Sequence, residues 1–232
     1  MSDAGPEVSI VMPVYNERAT VEQAIRSVLD ADIGGSFELI VVDDGSTDGS
    51  RELLRGGDWP PAVRTLFHDR NGGKGMALRT ALAEARGVYT TIMDADLEYE
   101  PSDIPMMLEP LRNGRAEAVF GTRGFSAHSA YSFWYVMGNR SVTFFANFLF
   151  NSWVSDIMTG QKAIRTDLFR SLKLRESGFA IEPEITARLL LGGVRIWEVP
   201  VGYTARSRDE GKKLTVLDGV RVVRTLLRCR IA

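Results

Sequence analysis

Two acidic clusters stand where apolar runs end. Asp94-Ala95-Asp96 closes the run Val88–Met93, and Asp43-Asp44-Gly45-Ser46-Thr47-Asp48 follows Phe37–Val42. Carboxylates two residues apart on extended backbone point to opposite faces unless the chain turns. At a strand-to-loop junction Asp94 and Asp96 can converge on one hard cation, with Glu98 as a third oxygen donor. Mg²⁺ or Mn²⁺ fits such donors. The competing reading is that Asp96 or Glu98 caps the next helix. In the other cluster, a turn at Gly45 with Ser46 or Thr47 as helix cap competes with Asp44 accepting hydrogen bonds from a ribose or base. The order of residues does not fit the D-x-D-x-T of an aspartyl phosphatase.

Asn71-Gly72-Gly73-Lys74-Gly75 precedes a helical pattern. The glycines form either a tight turn or a backbone approach to phosphate at a helix N-terminus. The spacing matches neither G-x-x-x-x-G-K-[ST] nor G-x-G-x-x-G. Lys74 offers an ammonium suited to a diphosphate. Arg140 is the only formal charge between Arg123 and Asp156, in a stretch that holds Phe133, Trp134, Phe144, Phe145, Phe148 and Trp153. A charge in apolar surroundings needs a partner. That partner is Asp156, or solvent, or an anion such as phosphate arriving from outside. Arg206, Lys212 and Lys213 surround Gly211 in a basic loop that spacing alone reads as solvated. His68 and His128 are isolated and read as structural, and no Cys/His spacing suggests zinc.

These residues must be held by a frame. Val8–Val14 is an apolar, β-branched run of the kind buried on both faces of a sheet, Phe37–Val42 is a second apolar strand, and Val63–Phe67 and Val88–Met93 read as a third and a fourth. Helical spacing separates them at 19–31, 47–54 and 75–85. The alternation predicts an α/β fold with an open, mostly parallel sheet and helices on both faces. In such sheets ligands sit outside the carboxyl ends of the strands, where Tyr15-Asn16-Glu17, Asp43-Asp44 and Asp94 to Glu98 all fall. The second half predicts helices at 101–111, 166–171, 184–191 and 216–229, strands at 117–121, 162–164 and 195–199, and one or two helices in the aromatic stretch. The last helix, basic at Arg221, Arg224 and Arg228, either closes the domain or lies on an anionic surface.

The chain has 232 residues and a net charge of −2, which excludes a generally basic nucleic-acid binder. A single cysteine, Cys229, excludes an internal disulfide and makes a reducing compartment the default. The N-terminus lacks a signal-peptide pattern, and no apolar run reaches the roughly 18 residues of a membrane span.

Together the motifs resemble family 2 glycosyltransferases of the GT-A, Rossmann-like fold. The matching segments are Pro13-Val-Tyr-Asn-Glu17, Val42-Asp-Asp-Gly-Ser-Thr-Asp48, Gly73-Lys-Gly75 and Asp94-Ala-Asp-Leu-Glu98. The second half resembles polyprenyl- or dolichyl-phosphate sugar synthases in Gly121-Thr-Arg123, Arg140, Ser155-Asp156 to Gly160-Gln-Lys162, and Arg206 to Lys213. The resemblance implies one GT-A domain over 1–232, with a nucleotide-sugar half at 7–122. The half at 123–232 would bind acceptor and carry interfacial amphipathic helices. Pro13, Tyr15, Glu17 and Asp44 would hold base and ribose, with Lys74 and Ala95 also against the nucleotide sugar. Asp94, Asp96 and Glu98 would hold Mg²⁺ or Mn²⁺ at the diphosphate; family members often carry glutamine at the last position. Arg123 and Arg140 would bind a lipid phosphate, and Arg206 and Lys213 would close over the donor phosphates. Asp96, Arg123 and Arg140 form the implied catalytic set.

The implied reaction is inverting transfer of glucose or mannose from UDP-glucose or GDP-mannose to a polyprenyl phosphate, by a peripheral enzyme at the cytoplasmic face of the cell membrane. A phosphate monoester has a second pKa of about 6, so its oxygen needs positioning rather than a general base. The alternatives are a saccharide or other soluble acceptor with Asp156 as base, and a non-catalytic nucleotide-sugar module, against which the intact Asp94-x-Asp96 argues.

Overall fold

A computed structural model describes residues 5–123, 133–205 and 216–231. Val8–Val14 (β1), Phe37–Asp43 (β2), Val63–Phe67 (β3) and Tyr89–Ile92 (β4) are parallel and lie in the order β3-β2-β1-β4. Ile10, Met12, Val14, Leu39 and Val41 pack into one cluster, whereas Val11, Ile40 and Val42 pack into a second. Alternate side chains of a strand point to opposite faces. Burial of both faces is therefore why β1 and β2 read as largely apolar runs.

Val21–Asp30 (α1), Ser50–Gly56 (α2), Lys74–Glu84 (α3) and Ile104–Arg112 (α4) cover the sheet. Val21, Ile25, Leu54, Ile104 and Met107 bring α1, α2 and α4 onto the first cluster, while Ala77, Leu78 and Ala81 bring α3 onto the second. α2 begins at Ser50 rather than Thr47. Asp48 Oδ1 accepts from the Ser50 amide at 3.0 Å and its hydroxyl at 2.6 Å, a local bonding pattern that competes with helix.

Ala118–Arg123 (β5), Lys162–Arg165 (β6) and Ile196–Val201 (β7) extend the sheet to seven strands in the order β4-β6-β5-β7. β6 alone runs antiparallel to its neighbours. Its first residues therefore sit at the carboxyl edge of β4 and β5, with Lys162 opposite Phe120. The reversal brings the segment before Lys162 to the edge where the acidic clusters lie.

Thr166–Ser171 (α6, following a helix numbered below) and Ile181–Leu191 (α7) cover the same face as α3 through Phe169, Ile181, Ile185 and Leu189. Starting α7 at 181 rather than 184 puts Pro183 in the first turn, where its missing N–H costs no helical bond. The aromatic stretch is one helix, Phe133–Phe150 (α5), and Val216–Ile231 is α8. Ala146 of α5 and Val222, Leu226 and Cys229 of α8 form an outer layer with Ala187 of α7. This makes α8 a closing helix, with Arg221 and Arg224 exposed on its other side.

α5 is two-faced. Asn139, Thr143, Ala146 and Asn147 are buried, while Phe133, Met137, Phe144 and Phe148 form an exposed stripe at helical spacing. Phe144 is 71% exposed and Phe148 78%. Phe145, grouped with them by sequence, instead packs inward on the outer layer. Among the described residues no helix is long and apolar enough to cross a membrane.

Candidate active site

The loops after β1 and β2 are stitched together. The Asn16 amide donates to Ser46 Oγ at 2.9 Å, the Thr47 amide donates to Asn16 Oδ1 at 2.9 Å, and the Glu17 amide donates to Ser50 Oγ at 3.0 Å. Asn16 takes a left-handed φ of 55°, which asparagine tolerates better than most residues. Pro13, Tyr15 and Glu17 are thereby fixed along one wall of a cleft.

The two aspartates ending β2 have different work. Asp43 accepts Arg51 Nε at 2.7 Å and is buried. Asp44 reaches the cleft and accepts from the amides of Gly72 at 3.0 Å and Gly73 at 2.6 Å. Its Oδ1 also lies 2.6 Å from His68 Nδ1, whose Nε2 meets Thr80 Oγ1 at 2.9 Å. The two glycine amides are thus committed to Asp44, which decides for the turn over a phosphate cradle. Gly73 has φ +87°, and a Cβ there would stand 2.5 Å from the Ser177 carbonyl oxygen. Only glycine fits.

Past Ile92 the chain leaves β4 and turns, so Asp94, Ala95, Asp96 and Glu98 all line the same cleft of about 360 Å³. Lys74 and Arg123 line it too. Arg140 does not; it is exposed on α5. Arg206 and Lys213 lie outside the described residues. Glu98 Oε2 accepts the Tyr203 hydroxyl at 2.8 Å, and Asp96 Oδ1 accepts the Glu98 amide at 3.1 Å. Among the described residues no three His, Cys, Asp or Glu side chains gather as a ready metal nest. Asp94 and Asp96 both line the cleft, and Mg²⁺ is commonly bound by one or two carboxylates plus substrate phosphates. Burial, then the nearby charges of Asp96 and Glu182, push the Asp94 carboxyl up to about 6 despite Lys74. Crowded anionic oxygens of this kind suit a divalent cation.

Lys74 Nζ lies 2.8 Å from Asp94 Oδ2 and 2.8 Å from Glu182 Oε1. Glu182 Oε2 is in turn 2.5 Å from Lys162 Nζ, which is fully buried over the Phe120 ring. Two cations and two anions therefore alternate from the cleft at Asp94 and Lys74 down through Glu182 to the buried Lys162. Burial pushes the Lys74 ammonium down, but Asp94 and Glu182 outweigh it and hold it well above the usual lysine range. Burial likewise opposes the Glu182 charge, and the two lysines keep that carboxyl low. Glu182 has no part in the sequence motifs. Its one signal is position, a carboxylate directly after Phe179-Ala180-Ile181.

At the far wall, Arg123 Nε donates to Asp156 Oδ2 at 2.6 Å, both side chains being nearly inaccessible. The guanidinium sits 5.0 Å over the Tyr203 ring, and Tyr203 lies 5.1 Å from Tyr99. Asp156 also accepts from Asn139 Nδ2 at 3.1 Å and the Met158 amide at 2.9 Å. Burial raises its pKa, but Arg123 and these donors prevail and hold it below the ordinary aspartate value. Asp156 is the partner of Arg123, not of Arg140. Gly160 packs against the acidic pair, since a Cβ there would stand 2.7 Å from Asp94 Oδ2.

Known proteins resemble the chain in sequence and in fold. The chain is 30% identical over 200 residues to glycosyltransferase AglJ of Haloferax volcanii, covering 86% of this chain and 63% of that protein. It is 27% identical over 211 residues to dolichol-phosphate mannosyltransferase of Pyrococcus furiosus, covering 89% and 59%. The chain thus spans less than two thirds of these relatives. Glucosyl-3-phosphoglycerate synthase from Mycobacterium tuberculosis, in complex with Mn²⁺, UDP and glucosyl-3-phosphoglycerate, superposes with a TM-score of 0.71 at 25% identity, over 97% of this chain and 80% of that one. The glycosyl transferase family 2 profile matches residues 9–173, which hold β1 to β6 and the acidic ends of β2 and β4, and the chain belongs to that family.

Proposed function

We propose that the protein is an inverting hexosyltransferase that moves glucose or mannose from UDP-glucose or GDP-mannose to a polyprenyl phosphate, acting as a peripheral protein at the cytoplasmic face of a membrane. The observation that carries this reading is a cation beside a lipid-sized apolar face. Arg123 lines the cleft that holds Asp94 and Asp96, and α5, bonded to its partner Asp156, shows Phe133, Met137, Phe144 and Phe148 to the outside. Aromatic side chains at helical spacing suit a membrane interface.

In this reading Pro13, Tyr15, Glu17 and Asp44 hold base and ribose, and Lys74 and Ala95 border the diphosphate and sugar. Asp94 and Asp96, with Glu98 beside them, would hold Mg²⁺ or Mn²⁺, which when bound neutralises charge on the departing nucleoside diphosphate. Arg123 would hold the acceptor phosphate from inside the cleft and Arg140 would meet it from the exposed face of α5, while Arg206 and Lys213 would cover the donor phosphates. A phosphate oxygen attacks the anomeric carbon in line as the bond to the diphosphate breaks. No proton moves, because the phosphate is already largely a dianion above about pH 6. The saccharide alternative requires Asp156 to take a proton, and its oxygens accept three donors while its pKa is held low. A soluble phosphorylated acceptor would use the same arginines but leaves the α5 stripe without purpose. The test is the product anomer from an α-linked donor, read by NMR. A β product is expected, and retention would rule out single displacement.

A further inference from the structure

Asn139 lies on the buried side of α5, and its amide joins that helix to the cleft. Nδ2 donates to Asp156 Oδ1 at 3.1 Å, and Asp156 Oδ2 grips Arg123 Nε at 2.6 Å. Asn139 is 9% exposed, and its Oδ1 has no hydrogen-bond partner. A buried amide with an unsatisfied oxygen is a poor choice for stability, since an apolar side chain would avoid that cost. What the amide gains is a bond to a carboxylate that acts on the cleft.

We propose that Asn139 is a positioning residue for acceptor binding: through Asp156 it fixes the Arg123 guanidinium over Tyr203 and ties it to the helix that carries the exposed aromatic stripe. Arg123 lays its guanidinium over Tyr203 at 5.0 Å, and the nearly inaccessible Asp156 carboxylate grips its Nε from behind at 2.6 Å, so a turn of that carboxylate shifts the guanidinium. Asp156 is in turn aligned by Asn139 and by the Met158 amide. Loss of the Asn139 bond frees the carboxylate to turn, and the guanidinium moves with it. Among the described residues the Asn139 side chain bonds Asp156 and none of the donor-side residues on β1, β2 and β4, so the effect should fall mainly on the acceptor.

This inference rests on the acceptor reading above. The experiment measures binding of farnesyl phosphate and of UDP-glucose and GDP-mannose to the full chain with Mg²⁺ present, for wild type, Asn139→Ala, Asn139→Asp and the exposed same-helix control Ser141→Ala, followed by KM and kcat with the better donor. The expected result is that Asn139→Ala weakens farnesyl phosphate about tenfold, and Asn139→Asp, which sets a second carboxylate against Asp156, weakens it further. Donor affinity and KM should stay within twofold, the effect should fall on acceptor KM more than on kcat, and Ser141→Ala should match wild type. Wild type that binds farnesyl phosphate, with Asn139→Ala binding it equally or losing donor equally, overturns the positioning role alone. Wild type that binds a nucleotide sugar but no farnesyl phosphate overturns the acceptor reading and this inference with it. Should Asn139→Asp fail to fold, Asn139→Ala decides.

Discussion

Lys74 Nζ lies 2.8 Å from Asp94 Oδ2, so one member of the acidic pair already carries a counter-charge from the first turn of α3. The same ammonium serves Glu182. Removing one partner from a buried charge pair is far more costly than never having built it. Lys74→Met should therefore lower unfolding free energy by about 3 kcal/mol, measured by urea denaturation, because Asp94 loses its nearest cation. A loss within about 0.5 kcal/mol, typical of a surface change, would mean that the chain of charges is not load-sharing.

Asp96 lines the cleft beside Asp94 on the turn past β4, so its removal is expected to fall on function first. Asp96→Ala should cut glycosyl transfer at least about a hundredfold, the scale of losing one electrostatic element at a reacting centre. The denaturation midpoint should hardly move. Retained turnover in a variant that folds normally would contradict its assignment to metal and diphosphate.

The α5 stripe carries its own control. Phe144→Ser with Phe148→Ser should leave stability within about 0.5 kcal/mol while weakening co-sedimentation with anionic vesicles at least about tenfold. Phe145→Ser, on the inward side, should instead cost about 2 kcal/mol or more of stability. If the exposed pair proves as destabilising as Phe145, the stripe is part of the packing and not a contact surface.

Asp156 makes a pH prediction of fixed sign. Its folded pKa lies below its unfolded value of 3.8, since Arg123 and its other donors outweigh burial. A depressed carboxyl pKa contributes stability that is complete above the unfolded value and is lost as pH falls through the folded one. Unfolding free energy measured from pH 7 down to about pH 2 should thus fall less steeply below about pH 4 in Asp156→Asn than in wild type. Parallel curves would show that the pair with Arg123 adds nothing to folding.

Much of the frame is legible in the amino-acid sequence. The strands β1 and β2 announce themselves because burial on both faces demands long apolar runs, and the acidic ends of β2 and β4 mark the carboxyl edge of the sheet. Asp94, Asp96, Asp44 and Arg123 meet in one cleft for that reason. Other features depend on pairings between distant segments, which local spacing does not encode. The reversed β6 slips between β4 and β5, and only that places Lys162 beside Glu182. Arg140, the lone charge among the aromatics, is turned outward by helical phase while its neighbour Asn139 turns in, and spacing alone does not give that phase. Phe145 illustrates the same phase effect: adjacent residues on a helix are about 100° apart, so composition could not separate it from Phe144.

The most direct test of the central claim is transfer of label into lipid. The purified chain is incubated with Mg²⁺, radiolabelled UDP-glucose or GDP-mannose, and a short polyprenyl phosphate, and the mixture is partitioned between water and organic solvent. Label entering the organic phase with one of these donors, only when the lipid phosphate is present, is the predicted result. Label that stays in water with both donors, or that moves instead onto a soluble acceptor, would contradict it.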